Sequence, residues 1–388
     1  MIFDEVISRK GTHSEKWDEI EKLYGVPVDE GIPMWVADMD FRPPDCVQRA
    51  LHRMSSHGIY GYYGDDFKYR ESICWWMENR HGWRLDPSSI FTTHGLVNGT
   101  ALCIDTFTKP GDGIILFTPV YHSFFRILNA SNRKIVECPL IIKKGQYTMD
   151  FELYSKMMSG NEKMIILCSP HNPGGRVWKK NELQRVADFA KNHNLILVSD
   201  EIHHDLVYSG NNHIAMPLVD EQISNRLVML TATTKTFNIA GAHTGNVIIE
   251  DHNLNSIFKK RMTALGLSPN SFGLFMSEAA YSPEGAQWVD DLNNYLNENR
   301  KFFDRNINKI PGVKSMHLEG TYLAWVNFTD TGLTKIEVQE KIQKKAKIAA
   351  NHGETFGCGG EGFFRFNFAM PKVILERAIE RLINAFIK

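Results

Sequence analysis

The chain contains 388 residues, of which 43% are hydrophobic and 23% charged, a composition that excludes a disordered or fibrous protein and allows a large globular core. Its 44 Lys and Arg residues balance 45 Asp and Glu residues, which leaves a net charge of -1 and favours a small-molecule partner over nucleic acid or an anionic membrane surface. No apolar stretch approaches the roughly 18 residues that span a bilayer, and residues 1–17 lack a signal-peptide core, so we expect a cytoplasmic protein.

Short apolar runs alternate with helical stretches between residues 90 and 250. Runs that are apolar on both faces are typical of strands in a mostly parallel sheet covered by helices. A helical stretch at 181–194, with Asn181 as the expected N-cap and Gln184 reaching back to it, is typical of a crossover between two such strands. The six predicted strands lie within residues 89–95, 112–119, 163–170, 195–201, 226–233 and 245–250.

The pattern changes after about residue 285. Long polar helices flank one apolar run at 322–328, and a helical repeat of apolar residues follows Pro371. We expect a smaller α+β domain here, completed by the N-terminal segment. The predicted division is an N-terminal arm over 1–44, a large domain over 45–285 and a small domain over 286–388.

Ligands of an open α/β sheet bind at the carboxyl ends of its strands, where five of the predicted strands are followed by polar or ligand-binding features. The first leads through Gly95 into a helix whose N-terminal N–H groups, at Leu96 and Val97, suit a phosphate. An aromatic ring, an amide, a carboxylate and a lysine follow the others. These four residues are Tyr121, Asn172, Asp200 and Lys235.

Other ligand classes fit the sequence less well. His203 and His204 suggest a metal, but neighbouring residues of a strand point to opposite faces and no further ligand lies close in sequence, so we predict no metal site. The six cysteines form no CxxC pair, which disfavours zinc and disulfides. The GxxxxGK[ST] and GxSxG motifs are absent, and no GxGxxG follows an apolar run.

One ligand uses all five strand-end features, namely pyridoxal 5'-phosphate. Its aldehyde requires an amine that forms a reversible Schiff base, a reaction for which lysine is suited. Its ring nitrogen requires a carboxylate that keeps the ring protonated and electron-poor. Lys235 and Asp200 meet these two requirements.

At these residues the sequence resembles the fold-type I pyridoxal-phosphate enzymes of the aminotransferase class I/II superfamily, over nearly the whole chain. More narrowly, it is similar to the cystathionine β-lyase branch, the MalY/PatB type of carbon–sulfur lyase. The motifs that carry this narrower similarity are WVADMDF (35–41), GIYGY (58–62), SDEIH (199–203), KTFNIAG (235–241) and GFFRFNFA (362–369).

The resemblance implies a large domain with a mostly parallel seven-stranded sheet, a smaller α+β domain and a homodimer. Lys235, Asp200 and Tyr121 would be catalytic, with Lys235 forming the Schiff base, Asp200 pairing with the ring nitrogen and Tyr121 stacking on the ring. The remaining implied contacts are the cofactor's phenolic oxygen for Asn172 and His203, its phosphate for Leu96, Val97 and Thr234, the neighbouring subunit's phosphate for Tyr60, and the substrate for Arg365, Ala37 and Tyr60.

One residue departs from the superfamily pattern. Most aminotransferases have a phosphate-binding arginine eight residues after the lysine, whereas this chain has His243 at that position. Members of the lyase branch commonly lack that arginine too. The departure favours β-elimination, in which a thiol leaves an L-amino acid such as cystathionine and pyruvate and ammonia form. Transamination between an L-amino acid and a 2-oxo acid is the alternative, and a non-catalytic binding or regulatory protein on the same scaffold is a third hypothesis.

Overall fold

The computed structural model describes residues 2–387. The strands within this range are β1 (Ile32–Pro33), β2 (Ile90–Thr93), β3 (Gly113–Thr118), β4 (Lys134–Pro139), β5 (Ile141–Lys143), β6 (Gln146–Thr148), β7 (Glu162–Cys168), β8 (Ile196–Asp200), β9 (Leu227–Thr231), β10 (Gly245–Ile248), β11 (Lys314–Ser315), β12 (Leu323–Asn327), β13 (Ile348–Ala349), β14 (Asn351–His352) and β15 (Phe363–Asn367).

The α-helices connect and cover these strands. They are α1 (Glu15–Asp18), α2 (Ile20–Tyr24), α3 (Asp45–His57), α4 (Phe67–His81), α5 (Leu96–Phe107), α6 (Ser123–Ala130), α7 (Phe151–Met157), α8 (Lys180–Asn192), α9 (Thr233–Thr236), α10 (His252–Ala264), α11 (Ser271–Ala280), α12 (Pro283–Ile307), α13 (Lys335–Glu340) and α14 (Lys372–Ile387).

The largest sheet has seven strands in the order β2-β10-β9-β8-β7-β3-β4. Strand β10 runs antiparallel to both of its neighbours, and the other adjacent pairs are parallel. This confirms the predicted fold class. All six predicted strands are present, and the seventh, β4, was missed because it is an edge strand whose residues are mostly half-buried.

Both faces of this sheet are buried, which explains why its strands read as continuous apolar runs. Along β3, Ile114 and Leu116 pack into one hydrophobic cluster, whereas Ile115 and Phe117 pack into the other. Alternate residues of a strand point to opposite faces, so each cluster occupies one face. Because both faces are covered, a ligand can approach this sheet at the ends of its strands.

The N-terminus of α8 differs from the sequence prediction. The helix begins at Lys180, so neither Asn181 nor Gln184 caps it. Instead, the Glu182 carboxylate accepts a hydrogen bond of 2.9 Å from the backbone N–H of Lys179. A carboxylate at the third helical position can satisfy this N–H and also interacts favourably with the helix dipole. The final helix, α14, begins directly after Pro371, as predicted.

A second, antiparallel sheet has the order β11-β12-β15-β14. Strand β15 lies within the GFFRFNFA motif, and the short pair β1–β13 joins the N-terminal segment to the C-terminal part of the chain. Helix α12 runs across residue 285, where the predicted domain boundary falls. In residues 2–387, none of the helices combines the length and apolarity needed to cross a membrane.

Candidate active site

The carboxyl ends of five strands of the large sheet lie on the same side of the sheet, and this row of strand ends is called the strand edge below. Strands β3, β7, β8 and β9 are mutually parallel, and β2 shares their direction because β2 and β9 both run antiparallel to β10. The fold therefore places the five strand-end features of the sequence at one edge. In the order of the strands they are Gly95, Tyr121, Asn172, Asp200 and Lys235.

Lys235 lies in the short helix α9 directly after β9. Its Nζ donates a hydrogen bond of 2.6 Å to the carbonyl oxygen of Ala37, in the N-terminal segment. Burial lowers the pKa of Lys235 to about 8, although the carboxylates of Asp38 and Asp200 act in the opposite direction. At a pH close to this pKa a substantial fraction of the amine is uncharged, as a nucleophile or proton acceptor requires.

Asp200 is the last residue of β8 and is buried. Burial raises the pKa of Asp200 to about 7, and a hydrogen bond of 3.1 Å from the Ile202 N–H to its Oδ1 acts in the opposite direction. Within residues 2–387 its carboxylate forms no ion pair. A protonated ring nitrogen would supply the missing cation and stabilise the charged carboxylate.

Arg365 lies in the middle of β15 and is only 2% exposed. Its Nη1 donates to Asn172 Oδ1 at 2.9 Å, and its Nη2 donates to Asn351 Oδ1 at 2.6 Å and to the Trp35 carbonyl at 2.8 Å. The guanidinium also lies 5.0 Å from the ring centroid of Phe356. These contacts hold the group in one orientation.

The charge of Arg365 has no counter-ion among the described residues, and its buried Nε has no hydrogen-bond partner there. Burial lowers the pKa of Arg365 to about 10, which leaves the group cationic at neutral pH. A buried cation without a protein partner is suited to an anionic ligand. A carboxylate matches the planar guanidinium in a bidentate arrangement.

Asn172, Tyr121 and His203 lie at the same edge. Since Asn172 Oδ1 accepts from Arg365, its amide nitrogen remains for another acceptor. The half-buried ring of Tyr121 packs edge-on against Phe124. His203 is fully buried and its Nδ1 has no partner in the described chain; burial holds the pKa of His203 well below its usual value, so the ring is neutral.

The turn before α5 has the geometry of a phosphate site. Gly95 adopts a φ of 83° as the N-cap, and the N–H groups of Leu96 and Val97 open a helix of 12 residues. Strand β10 begins close by at Gly245, where a Cβ atom would lie 2.9 Å from the Gly95 carbonyl carbon. Thr234 is buried in α9. His243 is exposed, at a φ of 46°.

Tyr60 lies in an exposed segment outside this strand edge. Its side chain is 58% exposed, and its ring centroid is 5.5 Å from that of Phe272. Tyr60 follows none of the strands that end at the candidate site, so a single chain does not place it among the strand-end residues.

Sequence reasoning missed several neighbours of the predicted residues. The fully buried Tyr322 donates its hydroxyl proton to the Ala37 carbonyl at 3.0 Å, beside Lys235. Asn351 orients Arg365 through a hydrogen bond of 2.6 Å. An aromatic or amide residue beside a short apolar run carries no signal of its own. These contacts depend on the pairing of distant segments.

The residues present fit pyridoxal 5'-phosphate. An amine with a lowered pKa, a buried carboxylate without an ion pair, a glycine-bounded helix N-terminus and an aromatic ring all lie at one sheet edge. This fold and donor set define a fold-type I pyridoxal-phosphate enzyme.

Comparison with known proteins agrees with this assignment. The family model for aminotransferase class I and II matches residues 31–382, and the chain belongs to that family. It is 37% identical to cystathionine beta-lyase PatB of Bacillus subtilis, over 98% of this chain and 99% of that protein.

Solved structures of similar proteins contain the cofactor. Cystalysin from Treponema denticola, which contains pyridoxal 5'-phosphate, has a TM-score of 0.94 and 37% identity over 99% of this chain and 98% of that one. A pyridoxal-phosphate-bound protein of Clostridium difficile 630, provisionally named an aminotransferase, has a TM-score of 0.95 and 36% identity over 99% of both chains. These findings confirm the predicted family, fold class and cofactor.

Proposed function

We propose that this protein is a pyridoxal-phosphate-dependent carbon–sulfur β-lyase that cleaves L-cystathionine or a related cysteine S-conjugate to a thiol, pyruvate and ammonia. The observation that carries the proposal is the similarity to PatB over nearly the whole of both chains, combined with Lys235 and Asp200 at the strand ends of the large sheet and Arg365 of the second sheet, which contacts Asn172 there. His243, which stands where most aminotransferases have a phosphate-binding arginine, supports elimination over transamination.

The chain's own residues divide the work of this reaction. Arg365 binds the substrate carboxylate, and the uncharged amine of Lys235 removes the proton from Cα. The electron pair left on Cα then forms a double bond to Cβ and expels sulfur as a thiolate, which takes up a proton. Water then hydrolyses the remaining unsaturated amine to pyruvate and ammonia. Pyridoxal phosphate, when bound, supplies the electron sink that stabilises the negative charge at Cα, and Asp200 keeps its ring nitrogen protonated.

The N-terminal segment positions the base. The Ala37 carbonyl accepts hydrogen bonds from Lys235 Nζ and from the Tyr322 hydroxyl, so one peptide group fixes both side chains. Asp38, next in sequence, favours the charged form of the lysine. The lysine can therefore hold a proton taken from Cα without losing its orientation.

Incubation of the holoenzyme with L-cystathionine tests the reaction, with pyruvate and free thiol measured together. We expect both products in equal amounts and no requirement for a 2-oxo acid. An aminotransferase, the alternative that the C. difficile neighbour favours, would consume a 2-oxo acid and release no thiol. Borohydride reduction and peptide mapping should place the cofactor on Lys235, and a label elsewhere would reject the site.

We also propose that the active form is a cytoplasmic homodimer in which Tyr60 reaches the phosphate of the neighbouring subunit. A set of exposed apolar side chains supports this interface. It comprises Ile59, Tyr60, Tyr62, Phe67, Phe272 and Phe275. The six free thiols are consistent with a reducing compartment such as the cytoplasm. The division of the chain into an arm over 1–44, a large domain over 45–285 and a small domain over 286–388 is likewise part of this proposal.

A further inference from the structure

A polar cavity lies apart from the candidate active site. Its volume is about 610 Å³, and asparagine, histidine and aspartate side chains predominate in its lining. None of the residues that line it belongs to the candidate active site. At its wall, His81 from the end of α4 meets His204 and Asp205 from the segment after β8.

The nitrogen and oxygen atoms of these three residues have the spacing of metal ligands. His81 Nε2 is 3.0 Å from Asp205 Oδ1, and His204 Nε2 is 3.2 Å from Asp205 Oδ2. One ligand atom from each residue lies within 4.8 Å of the other two. In a tetrahedral zinc site, with each ligand atom about 2.0–2.2 Å from the ion, neighbouring ligand atoms lie about 3.4 Å from one another. Only small side-chain movements are needed to receive an ion.

The contacts of His204 indicate that a cation lies between it and Asp205. Its Nδ1 lies within hydrogen-bonding distance of the Glu201 carbonyl oxygen, which can only accept, so Nδ1 carries a proton. The other ring nitrogen, Nε2, lies 3.2 Å from Asp205 Oδ2, the side chains of both residues are fully buried, and the contact does not have hydrogen-bond geometry. A proton on Nε2 makes this contact an ion pair. A metal ion can replace that proton and bind the Nε2 lone pair and the carboxylate together.

Further contacts resemble the outer shell of a metal site. Asp205 accepts hydrogen bonds from Trp76 Nε1 at 3.0 Å and from the Thr236 hydroxyl at 2.9 Å, which fix its orientation. A metal-bound histidine usually donates its other ring N–H to a carbonyl or carboxylate, as His204 does to Glu201.

The local charges also leave Asp205 available to a cation. Two carboxylates, Asp205 and Asp290, lie on the cavity wall with the guanidinium of Arg80, while Glu201 pairs with His213 at 2.7 Å. Arg80 pairs with Asp290 at 2.8 Å, while its Nε is 3.8 Å from Asp205. The negative charge of Asp205 is therefore left for the cation that lies between it and His204.

We propose that His81, His204 and Asp205 bind a divalent transition-metal ion, with a fourth coordination position open to the polar cavity. Two nitrogen donors and one oxygen donor form a ligand set that suits zinc. The ion joins the end of α4 to the segment after β8. The hydroxyl of Thr236, the residue after Lys235, donates a hydrogen bond to the ligand Asp205. The sequence prediction of no metal site rested on His203 and His204 alone; His81 lies 124 residues before Asp205 and is brought to it only by the fold.

Zinc titration of the holoenzyme against a chromophoric chelator tests the proposal. The exposed Cys358 is first changed to serine, because a surface thiol also binds zinc. We expect one tightly bound ion per chain, and a loss of affinity beyond about a hundredfold in His81→Ala and in His204→Ala, because outer-shell changes alone cost about ten- to a hundredfold. His213→Gln, which changes the same cavity without removing a ligand, should lose less than tenfold.

Two outcomes would overturn the site. One is an absence of stoichiometric binding, which would leave a protonated His204 as the cation. The other is binding that neither ligand substitution weakens, which would mark surface adsorption. Cobalt provides a measurement that does not depend on how the variants fold. The Co²⁺-loaded Cys358→Ser chain, with all three proposed ligands intact, should show ligand-field absorption at wavelengths beyond the cofactor band, and a spectrum equal to that of aqueous Co²⁺ would also reject the site.

Discussion

At the scale of single residues, Arg365 illustrates how the fold creates a binding group. Strand pairing buries its guanidinium, and three neutral acceptors orient it without neutralising its charge. Neutral acceptors leave the positive charge of the guanidinium uncompensated, so it attracts an anionic ligand more strongly than it would beside a carboxylate. The remaining attraction is available to the substrate carboxylate.

Arg365→Lys tests this role. Lysine keeps the charge but loses the planar fork, so kcat/KM should fall by about 2 kcal/mol, roughly thirtyfold, mainly through KM. Steady-state kinetics with cystathionine measures the change. Arg84→Lys, at a side chain that is 85% exposed, is the matched control and should leave both constants unchanged. A fall in kcat at constant KM would instead assign Arg365 to the chemical step.

Asp200 makes the stability of the cofactor-free protein depend on pH. Burial raises the pKa of Asp200 from 3.8 to about 7, so between these values the folded chain holds a proton that the unfolded chain has lost. The stabilisation is present in full below pH 3.8 and is lost as the pH rises through about 7. Each pH unit within this window changes the free energy of unfolding by at most about 1.4 kcal/mol.

Asp200→Asn removes this dependence. Urea unfolding of the cofactor-free proteins at pH 5, 6 and 7 should show the variant gaining stability relative to the original chain as the pH rises. Bound cofactor should reduce the difference, since a cationic ring nitrogen lowers the pKa of the carboxyl. Parallel stability curves for the two cofactor-free proteins would contradict the prediction.

At the scale of elements, the phosphate turn depends on how closely β10 approaches α5. A Cβ on Gly245 would lie 2.9 Å from the Gly95 carbonyl carbon and 3.0 Å from the Leu96 nitrogen. Gly245→Ala should therefore displace the turn, at a cost of about 1–3 kcal/mol. We expect the Kd for pyridoxal phosphate to rise about tenfold or more, by absorbance titration of the cofactor-free protein.

Gly241→Ala is the control for this substitution. A Cβ at Gly241 meets no atom within 4 Å, so neither cofactor affinity nor thermal stability should change. Equal losses of stability in both variants, with an unchanged Kd, would separate Gly245 from the phosphate turn.

The elements also show what sequence reasoning could and could not predict. The strands that end at the site were predictable because burial on both faces makes them continuously apolar, and the polar residue after each run marks its end. Strand β4 is an edge strand without that signal. Tyr322 and Asn351 acquire their contacts with Ala37 and Arg365 only when the N-terminal segment and the second sheet pack together. Such long-range pairing leaves no local pattern in the sequence.

At the scale of the whole molecule, one chain supplies most of the proposed site but leaves a group of aromatic side chains in solvent. Tyr62 is fully exposed, and Tyr60 and Phe272 form an exposed aromatic pair. Exposed apolar groups of this kind are typical of protein–protein interfaces. A symmetric dimer would cover this surface on both subunits and bring each Tyr60 to the partner's site.

Subunit complementation tests whether Tyr60 acts across the dimer. Lys235→Ala and Tyr60→Ala chains are each expected to be impaired as homodimers. In a mixed dimer, the Lys235→Ala subunit lends its intact Tyr60 to the site that retains Lys235, so one of the two sites is complete. Equal co-refolding makes half of the dimers mixed and should restore roughly a quarter of the original activity.

The control pairs two residues that one chain supplies to the same site. Mixing Lys235→Ala with Asp200→Asn leaves every site of the mixed dimer lacking one of the two groups, because both belong to the same strand edge. No activity should therefore return. If the Tyr60 mixture also shows only the sum of its two components, Tyr60 serves its own chain or none. Recovery in the first mixture but not in the second would require that the functional site is completed by two subunits.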